Sequence, residues 1–71
     1  HPDWSHRVLR AIYRKQVILG MSKPQLREAL GRPKKIFRKA SFYEGKPCDL
    51  WLYGHTRTIV LSQGGKVIDI R

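Results

Sequence analysis

Only one cysteine, Cys48, and only five acidic residues occur in this chain of 71. A lone thiol rules out a disulfide framework within the chain, so a hydrophobic core must hold the fold, and Cys48 is expected to be buried. The five acids, Asp3, Glu28, Glu44, Asp49 and Asp69, stand singly, with no spacing that pairs two carboxylates for acid–base work. No apolar run approaches the ~20 residues of a spanning helix. No glycine-rich phosphate loop is present, since Gly64-Gly65 reads as a hairpin turn. His1, His6 and His55 lack metal-ligand spacing, and no cofactor is implied. Cys48 and His55 suggest a nucleophile and a base. Against this, Cys48 follows Pro47 at a strand start, with no helix N-terminus before it to activate the thiol. The sequence reads as non-enzymatic.

What it has in excess is positive charge. Fifteen Lys and Arg give a net charge of +10, which favours anionic partners: nucleic acid, lipid head groups or an acidic protein surface. Seventy-one residues form one domain, 1–71, with one small core near the lower limit for folding without staples. Apolar residues make up 41%, enough for a two-layer core but not for an enclosed substrate cavity. The chain opens at His1-Pro2 without a methionine and reads as a mature or excised fragment, from which a signal peptide, lipobox or upstream domain could have been removed.

Residues 3–16 predict an amphipathic helix capped by Asp3 or Ser5. Trp4, Val8, Leu9, Ala11 and Ile12 share one arc, with Arg7, Arg10 and Arg14 opposite. That arginine stripe is either an ordinary solvated face or an anion-facing one. Val17-Ile18-Leu19 reads as a buried link, and Gly20 as a backbone conformation that other residues resist. A second helix, about 22–30, has both ends written in. Ser22 and Gln25 form a capping box, Pro24 lies in the first turn, and Met21 and Leu26 form a hydrophobic staple. Gly31 and Pro33 end it. Leu26, Ala29 and Leu30 share its inner face, leaving Lys23 and Arg27 outward.

Beyond Pro33 the pattern turns to strands at about 35–43, 48–53, 57–63 and 66–71. The first alternates poorly and carries Lys34, Lys35, Arg38 and Lys39 in and beside it, which suits an edge strand. Glu44-Gly45-Lys46-Pro47 is a turn, Gly54-His55-Thr56 a tight connection, and Gly64-Gly65 a two-residue primed turn. In that last register Leu61 faces Ile68, Ile59 faces Ile70, Val60 faces Asp69 and Thr58 faces Arg71. Ile59, Leu61, Ile68 and Ile70 would then share one face. The expected fold is α+β: two N-terminal helices packed on one face of a three- to four-stranded antiparallel meander, a two-layer sandwich.

Leu19-Gly20-Met21-Ser22, Gln25-Leu26, Leu30-Gly31-Arg32-Pro33, Trp51-Leu52-Tyr53 and Gly65-Lys66-Val67 together resemble the SmpA/OmlA (BamE-like) family of small bacterial cell-envelope domains, many of them lipoproteins. The resemblance spans nearly the whole chain and implies the same two-layer fold. It also implies a periplasmic or outer-membrane-associated location and a role in outer-membrane assembly or envelope integrity. The expected function is non-catalytic binding of an envelope protein partner or an anionic lipid surface, by a monomer or weak dimer. A cytoplasmic nucleic-acid-binding module and a structural domain of a larger protein are the alternatives. The candidate contacts are Arg7, Arg10 and Arg14 on the first helix and Lys34, Lys35, Arg38 and Lys39 on the first strand. Trp51 and Tyr53 are either core residues or an exposed aromatic contact.

Overall fold

Ser5 begins the first helix by accepting the Val8 backbone N–H at 3.3 Å, and α1 runs His6–Tyr13. The computed structural model describes residues 3–54 and 57–71. His1 and the Gly54-His55-Thr56 connection beyond Gly54 therefore lie outside the described residues, as does any pairing of Cys48 with His55. α1 is shorter than the expected span of 3–16 at both ends. Its C-terminus closes early because Lys15 adopts φ 56, and the N–H groups of Lys15 and Gln16 donate back to the carbonyls of Ile12 and Ala11. This is a Schellman ending built without glycine. Ala11 is buried, and Val8 and Ile12 pack partly against the core; Leu9 stays at the margin.

The link to the second helix is half open: Val17 and Ile18 are partly buried, but Leu19 points out. α2 spans Lys23–Leu30 with the expected capping box. Gln25 N–H donates to Ser22 Oγ at 3.4 Å, and Ser22 N–H donates to Gln25 Oε1 at 2.9 Å. Met21 and Leu26 are fully buried, as a staple requires. Gly31 ends the helix at φ 80 and ψ −158, a region open essentially to glycine alone.

Four strands follow, β1 Lys35–Tyr43, β2 Lys46–Tyr53, β3 Arg57–Leu61 and β4 Val67–Ile70, in the order β1-β2-β3-β4, all antiparallel. With the two helices before it, this open sheet makes an α+β fold. β2 begins earlier than expected because Glu44 and Gly45 alone make the turn, at φ 51 and 78, the backbone of a primed two-residue hairpin. Pro47 is tolerated in this inner strand because it lies beyond Asp49, the last β2 residue that β3 pairs.

The final hairpin departs from its expected turn. Gly65 N–H donates to the Ser62 carbonyl at 2.9 Å, Ser62 N–H donates to Lys66 at 2.8 Å, and only Gly65 of the two glycines has a positive φ. The loop is therefore Gln63-Gly64-Gly65, an ordinary turn closed by a glycine bulge, not a two-residue loop. Ile59 still faces Ile70 and Val60 faces Asp69, but Leu61 faces Val67 across a bulge. Val67, not Ile68, joins Ile59 and Leu61 in the core, while Ile70, opposite Ile59, is 40% exposed.

The core lies between the helices and one sheet face, with Ala11, Met21, Leu26 and Ala29 packed on Trp51, Ile59, Leu61 and Val67. Each such fully buried aliphatic contributes about 1.5–3 kcal/mol. The thinnest dimension is 15 Å, the depth of these two layers. The two sheet edges differ. Along β4, Gly20 N–H donates to the Val67 carbonyl, Val67 N–H donates to that of Met21 (both 2.8 Å), and Ser22 bridges to Lys66. The link between the helices thus seals the start of β4. Among the described residues, β1 pairs only with β2.

Candidate functional site

β1 is exposed along nearly its whole length. Its cations, Lys35, Arg38 and Lys39, together with Lys34 just before it, are all exposed; Ile36 and Phe37 stand between them, and Phe42 and Tyr43 follow, all four exposed. Phe42 is 72% exposed and Phe37 45%, unusual for large apolar side chains on a small domain. The sequence expectation named the cations of this strand and overlooked its aromatics. Their signal was present in the poor alternation of the strand, which leaves no single face on which they could all be buried.

The strand is shaped from beneath by Asp49. Phe37 pairs with Leu50 and Ser41 with Cys48, so Arg38, Lys39 and Ala40 bulge opposite Asp49 alone. Lys39 sits at φ 53, and its N–H donates to Asp49 Oδ1 at 3.0 Å. The other oxygen of Asp49 lies 3.8 Å from Lys23 Nζ at the start of α2. One acid therefore presents two adjacent cations on a bulge and ties them to the helix layer.

Arg27 is exposed and Lys23 only partly buried, as outward residues should be, yet both make contact with residues of β2. Arg27 lies over the Trp51 ring, 5.3 Å from its centroid. Beside it, Arg27, Arg32, Pro33 and Ile36 line a cleft of about 430 Å³ between α2 and β1. Register places Ile36 opposite Trp51, and therefore on the helix side of the sheet. Neither arginine was among the candidate residues. Their proximity depends on the tertiary approach of α2 to β1, which no local pattern encodes.

Trp51 and Tyr53 take the core alternative. Trp51 is 2% exposed, and its indole N–H finds no acceptor among the described residues. The Tyr53 hydroxyl donates to the Gly31 carbonyl at 2.9 Å. Burial pushes its pKa up to about 12, with Arg27 pulling the other way. The exposed aromatics of the sheet are therefore those of β1, not these two residues.

Arg7, Arg10 and Arg14 are exposed on α1 as expected. They do not join the β1 cations in one surface. α1 ends near β3 and β4, where Gln16 and Val17 share a hollow with Arg57 and Ile70. α2 lies against the β1 side. Cys48 is buried and borders a hollow of about 450 Å³ with Tyr43, Lys46, Ser62 and Ile68, and its Sγ lies 3.6 Å from the Lys46 carbonyl. Among the described residues no cluster of His, Cys, Asp and Glu could hold a metal ion. No described helix is long and apolar enough to cross a membrane. No family model, curated protein or solved structure matches this chain.

Proposed function

We propose that this domain is a non-catalytic binding module of the bacterial cell envelope that holds an acidic protein partner along β1. The observation that carries the reading is the strand itself, an open edge that exposes both aromatics and cations. Aromatics and arginines concentrate binding energy at interfaces, and the cations choose the sign of the partner. The envelope setting, with a role in outer-membrane assembly or envelope integrity, rests on the SmpA/OmlA resemblance of Leu19–Ser22, Gln25-Leu26 and Leu30–Pro33. One observation favours a second reading: Phe37, Phe42 and Tyr43 beside Lys35, Arg38 and Lys39 also describe a stacking platform for single-stranded nucleic acid.

A photoreactive residue at Phe37, with another at Tyr13 on α1, separates these readings in living bacteria. The expected result is a protein adduct from position 37 that disappears in the double variant Lys35→Glu, Arg38→Glu. Adducts to lipid alone, or from position 13 alone, would count against β1 as the protein-binding surface. A nucleic-acid adduct whose affinity falls steeply with salt would promote the second reading.

A further inference from the structure

We infer that β1 accepts an extended acidic peptide segment as a fifth strand, with a carboxylate of that segment seated between Arg27 and Arg32. The inference rests on the reading of the chain as a module for an acidic protein, and adds the mode of recognition. The first ground is the asymmetry of the two edges. Gly20–Ser22 occupies the start of β4, whereas the outer side of β1 has no backbone partner among the described residues. An unpaired edge is a template for another strand, and proteins either block such an edge or use it.

The second ground is charge. A second copy of the chain added along this edge would gather Lys35, Arg38 and Lys39 of both strands into one strand pair, and like charges brought together across a strand pair are destabilising. A segment carrying acidic residues replaces that repulsion with attraction. The edge therefore selects against itself and for a carboxylate-bearing segment.

The third ground is the cleft. Strands pair about 4.8 Å apart, and their side chains alternate between faces. A residue added beside Ile36 on the helix side meets the cleft of about 430 Å³, whose lining includes Arg27 and Arg32 and no carboxylate. Arg27 is already held over Trp51, so its planar fork loses little freedom on binding a carboxylate. On the opposite face the neighbouring residue meets Phe37, which register places beside Leu50. The matching segment thus alternates acidic and apolar residues. The bulge at Arg38–Ala40 confines ladder bonds to the two stretches on either side of it, which keeps the addition reversible.

The test uses the whole chain and a nine-residue peptide of alternating glutamate and valine, equal in length to β1. Fluorescence anisotropy near 0.15 M salt follows binding, and amide exchange follows β1. The expected result is saturable binding that slows exchange in β1 and weakens about tenfold when alternate peptide amides are N-methylated, their charge unchanged. Arg32→Ala, and separately Arg27→Lys, each weaken it about tenfold, with melting curves confirming that both variants fold. Equal binding of the N-methylated peptide overturns strand addition while leaving the binding module standing. Unchanged affinity in both arginine variants overturns the carboxylate seat. Failure of every acidic peptide, together with undiminished cross-linking after charge reversal of β1, overturns the mode and the module alike.

Discussion

At the corner where α2 meets β2, three residues divide one task. Arg27 covers Trp51, and Tyr53 closes the helix end through its bond to the Gly31 carbonyl. The hydroxyl must stay protonated to donate that bond, and burial favours the neutral form. A folded pKa of about 12 against the usual 10.0 means the folded state holds this proton more tightly than the unfolded chain does. The contribution is therefore complete below about pH 10 and lost as the pH rises through about 12. Tyr53→Phe is expected to cost about 1 kcal/mol at neutral pH, from the lost hydrogen bond. It is also expected to flatten the fall in stability over that alkaline window. Urea unfolding of both proteins across the range reads both effects, and parallel alkaline slopes would refute the assignment.

Among the elements, α2 was the most legible in the sequence and β1 the least. Ser22, Pro24, Gln25 and Gly31 each act locally, so a helix delimited by them can be read without knowing what it touches. The order of strands and the interior face of Ile59 and Leu61 also followed from alternation and turn residues, though Ile70 at the end of that face is exposed. What escaped reading depends on backbone states that ordinary residues adopt under tertiary constraint. Lys15, Lys39 and Glu44 all take positive φ, and none of the three is the glycine, asparagine or aspartate that would announce it. The first ends α1 early, and the second shapes the bulge on β1 that carries half of the candidate strand cations. The cleft between Arg27 and Arg32 was illegible for a different reason, since it belongs to the space between two elements. Lys15→Gly removes the left-handed penalty at the end of α1 and is expected to stabilise by about 0.5–1 kcal/mol, after the larger unfolded-state entropy of glycine is discounted. The midpoint of urea unfolding measures it. A lower midpoint would mean that Lys15 contributes contacts beyond its backbone.

Across the whole molecule, charge is the dominant imbalance. Beside a net +10, the described residues form two ion pairs, Lys23–Asp49 and Arg71–Asp69, the second well exposed. Repulsion therefore outweighs attraction at low ionic strength. Raising salt from about 0.01 to 0.15 M shortens the screening length from about 30 to 8 Å. The melting temperature is then expected to rise by a few degrees, where a protein stabilised by surface pairs would lose stability. Calorimetry at the two salt concentrations decides the sign.

The strap that Gly20–Ser22 lays along β4 also sets an order on biosynthesis. Gly20 and Met21 each share one backbone bond with Val67, a residue made well after both helices. α1 and α2 emerge early but have no sheet to cover, and the link between them has no strand to fasten until Val67 has been made. Closing so long a loop is slow relative to local helix formation. The domain therefore gains its stability in one late step, and a chain stalled before Val67 would present two unanchored helices and an unfinished sheet to the quality-control machinery of the cell.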